Sequence, residues 1–296
     1  MVVCYRRMPK FDYLKPASLN EALELLKDNG EGRYRVYAGG TDLMPKLKNR
    51  SIKIPEAIVN LKGIPDLDYI RYNDREGLAM GALATIYNVA GSSVIRENYA
   101  PLAQGAHSIA SIHIQNRGTI TGNICSAVPS ADSAPPLLAL GAQVKVVNIH
   151  GRRTLAIEDF FSGPGRNALL PGEMVEEIRI PPAAPGMKGI YLKLSPRTRM
   201  DLAVVGVAVA GRVIDGRFQD VRIGLGAVSP IPMRAVQGEA ALEGNKAETK
   251  IIEAAAKAAA DEASPIDDHR ASAEYRRTMV EVLVKRGLNS IATKAA

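Results

Sequence analysis

Two glycine turns in the first half of the chain are the segments best suited to binding a phosphate group. The first, Ala38-Gly39-Gly40-Thr41-Asp42, follows a short strand-like run and precedes the apolar residues Leu43, Met44 and Leu47. The second is Gly118-Thr119-Ile120-Thr121-Gly122-Asn123. Glycine permits positive φ and close approach, so the backbone amides of either turn could converge on one anion without a lysine. Two such turns facing each other would suit a pyrophosphate, whereas each alone is also compatible with an ordinary tight turn.

Most other chemistry is poorly represented in the sequence. The chain has neither a GxGxxG segment after a strand nor a GxxxxGK[ST] loop. His107 and His113 lie six residues apart, which is not a helical spacing for shared metal ligation. The two cysteines, Cys4 and Cys125, are too few for an internal cysteine-ligated iron–sulfur cluster or a four-cysteine zinc site. The sequence therefore predicts no metal site and no catalytic residue, and Cys125 is expected to be a small buried side chain.

Two polar positions remain open to more than one interpretation. Asp132 ends a run of small polar residues and is either the N-cap of a following helix or an acceptor for sugar or ribityl hydroxyls. Lys193 and Asp201 flank the basic loop Arg197-Thr198-Arg199, for which a charged surface hairpin is the alternative to a binding role.

Composition limits the class of protein. The chain has 296 residues, a net charge of +7, 46% apolar and 23% charged residues, as expected for a globular protein of two domains. The longest uncharged apolar stretch, 202–211, is about half the length of a membrane span. Residues 1–10 lack the apolar run of a signal peptide, so a cytoplasmic location is expected. Basic residues are spread along the chain, which argues against nucleic-acid binding.

The elements that must position these residues follow from capping and periodicity. The capping box Ser18-Leu19-Asn20-Glu21 predicts a helix that ends at Gly30, and Thr41-Asp42 are expected to cap a helix after the first turn. Strands and hairpins are predicted at 35–38, 57–61, 68–72 with 78–83, 143–149 with 153–157, and 174–180. Helices are predicted at 98–111 and 132–140, with a turn-rich segment at 118–125 between them.

The proline-rich segment 181–186 is the best domain boundary in the chain. Three strands are predicted after it, at 189–195, 202–213 and 218–228, followed by helices at 248–262 and 272–288. This order of elements predicts an α+β fold.

The same motifs resemble one known family over nearly the whole chain. The chain is similar to the FAD-binding medium subunit of the molybdenum hydroxylases, a group that includes xanthine dehydrogenase, carbon monoxide dehydrogenase and hydroxybenzoyl-CoA reductase. The segments that carry the resemblance are 38–43, 115–124, 129–135, 161–165, 169–173, 193–203 and 270–276. It implies a two-part FAD-binding domain of the PCMH (vanillyl-alcohol-oxidase-like) type at 1–180, with subdomains at about 1–61 and 62–180. An α+β C-terminal domain, a three-stranded sheet with helices, would occupy 187–296.

The resemblance also implies a role for each cofactor-binding residue. The amides of the two glycine turns would hold the pyrophosphate, Asp132 would accept hydrogen bonds from ribityl hydroxyls, and Ile109, Leu169 and Lys193 would lie by the isoalloxazine. None of these residues is an acid or base catalyst, because the flavin carries the redox chemistry. The expected FAD-binding residues are Ala38, Gly39, Gly40, Thr41, Asp42, Leu43, Ile109, Gly118, Thr119, Thr121, Gly122, Asn123, Asp132, Leu169 and Lys193.

Two positions depart from patterns found in the family. Thr121 stands where the family usually has a second glycine, so it is either strained by a positive φ or offers its hydroxyl to a phosphate. Thr41 stands where covalent attachment would want a histidine, so the FAD is expected to be non-covalent. Two cysteines cannot supply the cluster-binding insertion of the hydroxybenzoyl-CoA reductase type, which disfavours that branch.

The implied function is electron transfer within a larger enzyme, most like bacterial xanthine dehydrogenase. The implied partners are a small subunit with [2Fe–2S] clusters and a large subunit with a molybdenum–pterin cofactor, assembled as a dimer of heterotrimers. Electrons would leave the FAD for NAD+ or another acceptor. The alternatives are a self-contained FAD-dependent reductase or oxidase on the same fold, which would need its own proton donor, and a basic nucleic-acid-binding module, which would bind in a salt-dependent way.

Overall fold

The first sheet is parallel, and the first glycine turn follows one of its strands. The computed structural model describes residues 7–28, 30–197 and 200–293, so Cys4 and the loop residues Thr198 and Arg199 lie outside the described residues. The elements of this part are β1 (Asp12–Leu14), α1 (Leu19–Leu26), β2 (Tyr34–Tyr37), α2 (Leu43–Asn49) and β3 (Ala57–Asn60). The strands pair in the order β1-β3-β2, and short 3-10 turns lie at Gly30–Gly32 and Leu61–Gly63.

The expected capping box starts α1. The Ser18 hydroxyl accepts a hydrogen bond from the Glu21 amide at 3.2 Å, and the Glu21 carboxylate accepts one from the Ala17 amide at 2.7 Å. The first bond satisfies an amide that the first helical turn leaves without a partner, whereas the Glu21 carboxylate binds the amide of Ala17, one residue before the Ser18 amide that the capping box predicts. The helix ends at Leu26, earlier than the expected Gly30, and its apolar face packs with β3 and with the second sheet.

The second sheet has five antiparallel strands with most of the helices on one side. Its elements in chain order are β4 (Ile70–Asn73), β5 (Gly77–Gly81), α3 (Ile86–Gly91), α4 (Ser93–Asn98), α5 (Ala100–Ser108), α6 (Ile112–Gln115), α7 (Ile120–Cys125), α8 (Ala134–Ala139), β6 (Gln143–Asn148), β7 (Gly151–Ala156), β8 (Phe161–Gly163), β9 (Arg166–Asn167) and β10 (Met174–Ile180), with a 3-10 turn at Ile157–Phe160. The strand order is β4-β5-β10-β6-β7, and β8 pairs with β9 in a separate ribbon. The largest hydrophobic cluster of the described chain lies between this sheet and its helices.

Three expectations for this part need correction. The segment expected to be turn-rich contains helix α7, which begins because the Thr119 hydroxyl accepts a hydrogen bond from the Gly122 amide at 2.9 Å. The helix expected at 98–111 is shorter, because Pro101 favours a new first turn after α4 ends at Asn98. Helix α8 begins after Ser133, so Asp132 is not its N-cap.

The third sheet carries the last two long helices on one face. Its elements are β11 (Lys188–Leu194), β12 (Val205–Ile214), β13 (Arg217–Gly226), β14 (Met233–Arg234), α9 (Val236–Ala240), α10 (Thr249–Glu262) and α11 (Ala273–Thr293). The sheet has four antiparallel strands rather than the expected three, because β14 pairs with the end of β13. None of the helices within residues 7–28, 30–197 and 200–293 has the length and apolar character that crossing a bilayer requires.

Small residues let the part of the chain built around the second sheet (the second part) pack closely against the part built around the third sheet (the third part). A Cβ on Gly224 of β13 would lie 2.2 Å from the Pro135 carbonyl oxygen, and one on Gly226 would lie 2.8 Å from the Pro135 ring. On β11, a Cβ on Gly189 would lie 2.6 Å from the Pro101 ring. Helices α8 and α5 therefore rest directly on the face of the third sheet opposite α10 and α11.

The contact at Gly224 generates a stability prediction. Gly224→Ala should lower the free energy of unfolding by about 1–3 kcal/mol, because the new methyl group must displace the α8 backbone. Gly91→Ala is the matched control, since its Cβ would meet nothing within 4 Å and a helical alanine is favoured by about 0.5–1 kcal/mol. Urea unfolding of both variants measures the difference, and equal stabilities would contradict the close packing described here.

Candidate functional site

The two glycine turns lie against each other. A Cβ on Gly39 would lie 2.3 Å from the Arg117 carbonyl oxygen and 2.7 Å from the Gly118 Cα atom. A Cβ on Gly118 would in turn lie 3.3 Å from the Thr41 hydroxyl. Only a residue without a side chain allows this backbone contact at Gly39. The structure therefore brings the two sequence-predicted turns together.

The first turn presents free backbone amides. Gly40 has a φ of +75°, which favours glycine, and a Cβ on it would lie 2.2 Å from the Tyr37 ring. Within the described chain, the amides of Gly39, Gly40 and Thr41 have no hydrogen-bond acceptor. Asp42 makes no side-chain cap bond to α2, contrary to expectation, because its carboxylate accepts a hydrogen bond at 2.5 Å from the hydroxyl of Ser126, the residue that follows α7. The Asp42 side chain thus ties the first turn to the end of α7, while the amides of Gly39, Gly40 and Thr41 remain available to a ligand.

The second turn does not present its amides in the same way. The Gly118 amide donates to the Ile114 carbonyl at 2.7 Å, and the Gly122 and Asn123 amides donate to the Thr119 hydroxyl and carbonyl. The expectation that these three amides are free to hold a pyrophosphate is wrong, because the segment is the start of a helix. What the start of α7 offers to a ligand is the amides of its N-cap Thr119 and of Thr121, which have no acceptor among the described residues, and its side chains.

Thr121 carries an unpartnered hydroxyl. Its Oγ1 atom is buried and has no hydrogen-bond partner within the described residues. Thr121 is helical and is not among the residues with positive φ, so of the two expectations for this position the strained backbone is wrong. A buried hydroxyl without a partner costs about 1–3 kcal/mol. Such a group beside free amides is the feature expected where a ligand supplies the missing acceptor.

Asp132 and Lys193 form an ion pair between the second and third parts of the chain. The Lys193 Nζ atom lies 2.8 Å from Asp132 Oδ2 and also donates to the carbonyls of Asp201 at 2.8 Å and Ser108 at 3.3 Å. The Tyr191 hydroxyl donates to Asp132 Oδ1 at 2.7 Å. Only 8% of the Asp132 side chain and 12% of the Lys193 side chain are exposed, and we call them the buried ion pair.

Burial dominates the electrostatics of this cluster. Desolvation raises the pKa of Asp132, although the positive charge of Lys193 and hydrogen bonds from Lys193 and Tyr191 oppose the rise. Burial and the neighbouring carboxylate raise the pKa of Tyr191 well above its ordinary value, so its hydroxyl stays protonated and donates. Sequence reasoning found Asp132 and Lys193 but missed Tyr191. The available signal was the two-residue spacing of Tyr191 and Lys193, which places both on one face of β11.

The expected ring-contact residue Leu169 lies in a loop that is fixed by charge. Glu173 is almost fully buried, and its carboxylate receives two hydrogen bonds of 2.7 Å from the Arg153 guanidinium and one of 2.7 Å from the Leu170 amide. Arg153 also donates to the Ala168 carbonyl at 2.9 Å. Desolvation alone would raise the pKa of Glu173, but the hydrogen bonds and charge of Arg153 and the Leu170 amide together lower it. The Leu169 backbone is therefore held from both sides.

Ile109 and Asn123 are placed by amide and hydroxyl groups. Ile109 is 8% exposed at the end of α5, and the Gln115 side chain donates to its carbonyl at 2.8 Å. The Asn123 side-chain oxygen accepts a hydrogen bond from the Ser133 hydroxyl at 2.6 Å, which ties α7 to the start of α8 beside Asp132. The second turn and the buried ion pair are thus connected through one side-chain contact.

Metal and thiol chemistry find no support in this region. Across residues 7–28, 30–197 and 200–293, no three His, Cys, Asp or Glu side chains are arranged to hold a metal ion. Burial raises the pKa of the Cys125 thiol to about 12, so it stays protonated at neutral pH.

Comparison with known proteins gives consistent matches over nearly the whole chain. The family of FAD binding domains in molybdopterin dehydrogenases matches residues 9–183, and that of CO dehydrogenase flavoprotein C-terminal domains matches 190–291. The carbon monoxide dehydrogenase medium chain of Hydrogenophaga pseudoflava is 33% identical over 97% of this chain and 99% of its own. The solved structure of carbon monoxide dehydrogenase from that organism has a TM-score of 0.93 at 34% identity, covering 98% of this chain and 100% of the other.

The chain belongs to the family of FAD-binding medium subunits of molybdenum hydroxylases. This result confirms the predicted family, the α+β fold class, the FAD cofactor and the assignment as an oxidoreductase subunit. The expectation of greatest similarity to bacterial xanthine dehydrogenases is wrong. The xanthine dehydrogenase FAD-binding subunit of Escherichia coli O157:H7 is 28% identical over 96% of both chains, less than the carbon monoxide dehydrogenase medium chain.

The electrostatics of Glu173 in this FAD-binding subunit generate a pH prediction. Its folded pKa is lowered, so its stabilising contribution is complete above the unfolded value of about 4.3 and is lost as pH falls through the folded value. Glu173→Gln should reduce the free energy of unfolding by about 1–3 kcal/mol near neutral pH, and the difference from wild type should shrink below about pH 4.

Urea unfolding of both proteins at several pH values measures this effect. Glu248→Gln is the matched control, because Glu248 is exposed and its ion pair with Lys246 at 3.8 Å should contribute less than about 1 kcal/mol. A constant difference between wild type and Glu173→Gln at all pH values would contradict the lowered pKa.

Proposed function

We propose that this chain is the FAD-carrying electron-transfer subunit of a multi-subunit molybdenum hydroxylase. It would accept electrons from [2Fe–2S] clusters of a small partner subunit and pass them to NAD+ or another acceptor. The observation that carries the FAD site is the contact between the two turns, each of which holds donors without an acceptor among the described residues: the amides of Gly39, Gly40 and Thr41 in the first, and the hydroxyl of Thr121 in the second. A diphosphate offers several oxygen acceptors and so fits this set of donors.

The proposed FAD contacts divide between three regions. The first turn, Ala38 to Asp42 with Leu43, would hold the pyrophosphate through its amides, and the second turn would contribute Thr121 through its hydroxyl. Gly118, Gly122 and Asn123 would shape that surface rather than donate from their amides, whereas the amides of Thr119 and Thr121 have no acceptor among the described residues and would donate to the ligand. Asp132 would accept hydrogen bonds from the ribityl chain.

The ring would lie by Ile109, Leu169 and Lys193. Bound FAD supplies the electron-transfer chemistry, and the chain binds, orients and electrostatically tunes it. Lys193 holds a positive charge next to the proposed ring position, and its three acceptors fix where that charge sits. A fixed cation there favours the arrival of negative charge on the ring.

The proposed assembly has a small iron–sulfur subunit and a large molybdenum-cofactor subunit, arranged as a dimer of heterotrimers in the cytoplasm. Support comes from the relatives, which are medium chains or FAD-binding subunits of several dehydrogenases. The glyceraldehyde dehydrogenase medium chain of Sulfolobus acidocaldarius, for example, is 30% identical over 96% of this chain and 99% of its own. Because such relatives carry different substrate names, we propose that a partner chain binds the substrate.

We also propose a division into an FAD-binding domain at 1–180, with subdomains at about 1–61 and 62–180, and a C-terminal domain at 187–296. The support is that the proline-rich segment 181–186 falls where one matched family ends and shortly before the next begins.

Thr121→Val tests the FAD site with two effects of opposite sign. Without FAD, the variant should be as stable as wild type or more stable by about 1 kcal/mol, because an unpartnered buried hydroxyl is removed. With FAD, affinity should fall about tenfold, because a hydrogen bond to the ligand is lost. Thr121→Ser keeps the hydroxyl and should bind like wild type. Thermal unfolding without FAD and fluorescence titration with FAD measure the two effects. Unchanged affinity in Thr121→Val would contradict the role given to this hydroxyl.

Purification of the native complex tests the proposed electron-transfer role. We expect this chain to copurify with two other polypeptides. The same sample should contain iron and molybdenum and should release FAD when it is denatured. Recovery of this polypeptide alone, with FAD and with substrate turnover, would instead support a self-contained flavin reductase or oxidase.

A further inference from the structure

Arg276 is a buried arginine in the first turn of α11, and its side chain is only 4% exposed. Its Nη1 atom donates to the carbonyls of Val204 at 2.8 Å and Ala227 at 3.1 Å, and its Nη2 atom donates to Asp268 at 2.8 Å. Its Nε atom is buried without a partner among the described residues. Arg276 ends the segment 270–276, which is one of those that carry the family resemblance, and the proposed FAD contacts give that segment no role.

The two carbonyls that Arg276 holds lie at the junction of the third sheet with the candidate site. Val204 immediately precedes β12, and its amide donates to the Leu194 carbonyl at 2.8 Å, which closes the loop between β11 and β12. Ala227 immediately follows β13 with a φ of +64°, and its amide donates to the Pro129 carbonyl at 2.7 Å. Val204 and Ala227 thus each join Arg276, through the carbonyl, to a segment that carries one member of the buried ion pair, through the amide.

The geometry requires an arginine. Three oxygens on three separate segments are reached by one planar guanidinium, whose donors point in fixed, divergent directions, whereas a lysine ammonium donates from a single point. Asp268 orients the guanidinium and is itself held by the amides of Arg270 and Ala271. Although burial opposes it, these hydrogen bonds and that from Arg276 lower the pKa of Asp268 to about 2, so the carboxylate is charged at neutral pH.

We propose that Arg276 is a positioning residue for the flavin. By holding the Val204 and Ala227 carbonyls, it fixes the two segments that carry the buried ion pair and thereby sets where the Lys193 charge lies relative to the flavin ring. This inference rests on the proposed function, in which Lys193 lies by that ring.

The test uses the full-length chain with FAD bound. Arg276→Gln should raise the FAD dissociation constant about tenfold and lower the midpoint potential of the flavin, because Lys193 is no longer held in place. Arg276→Lys should recover part of both effects. Arg270→Gln is the matched control, because Arg270 donates to Asp268 at 3.2 Å but to neither carbonyl. Its FAD dissociation constant should stay within about twofold of the wild-type value, and its midpoint potential should be that of wild type.

A double-mutant cycle shows whether Arg276 acts through Lys193. Lys193→Gln alone should lower the potential, and adding Arg276→Gln should change it little further, because residues that act as one unit are not additive. Additive effects would overturn the inference. If Arg276→Gln does not fold, Arg276→Lys is compared with Arg270→Gln, and equal potentials would overturn it. A wild-type chain that binds no FAD would overturn the proposed function and this inference with it, whereas normal FAD binding with an unchanged Arg276→Gln would overturn the inference alone.

Discussion

The ion pair of Asp132 and Lys193 is the interaction around which the two halves of the molecule are arranged. Removing two charges from water is costly unless their remaining hydrogen-bonding capacity is satisfied. Here the Tyr191 hydroxyl donates to the carboxylate, and the carbonyls of Ser108 and Asp201 accept from the ammonium group. Ser108 belongs to the second part of the chain, and Tyr191 and Asp201 belong to the third. The pair can therefore exist only when the second and third parts are docked in one relative position, which couples their orientation to the geometry of the site.

The docking itself depends on small residues. Glycines on β11 and β13 let the prolines of α5 and α8 approach the sheet backbone, so the helices that follow and precede the site residues sit directly on the third sheet. The same device operates at Gly39, where the first turn meets the second. In each case the absence of a Cβ allows the glycine backbone to approach a neighbouring backbone or a rigid proline ring, which is stiffer than contact through long side chains.

Sequence reasoning succeeded where local chemistry decides the structure. The cap at Ser18, the strand pattern of 174–180 and the long helices α10 and α11 all follow from spacing along the chain. It failed for α7, whose glycine and β-branched residues disfavour a helix that a Thr119 cap nevertheless starts. Only the family resemblance assigned the two glycine turns, Asp132 and Lys193 to a single predicted FAD site. The contacts of Tyr191, Glu173 and Arg276 needed the structure, because their partners are distant in sequence or lie on other elements.

The strand order of the second sheet also constrains how the chain can be made. Strand β10 lies between β5 and β6, pairing with both, although it is synthesised after every other strand of that sheet. Until it leaves the ribosome, the nascent sheet has two open edges facing each other, and open edges are prone to intermolecular pairing. Folding of this region is therefore expected to be late and dependent on long-range contacts, a situation in which chaperone protection during synthesis is most valuable.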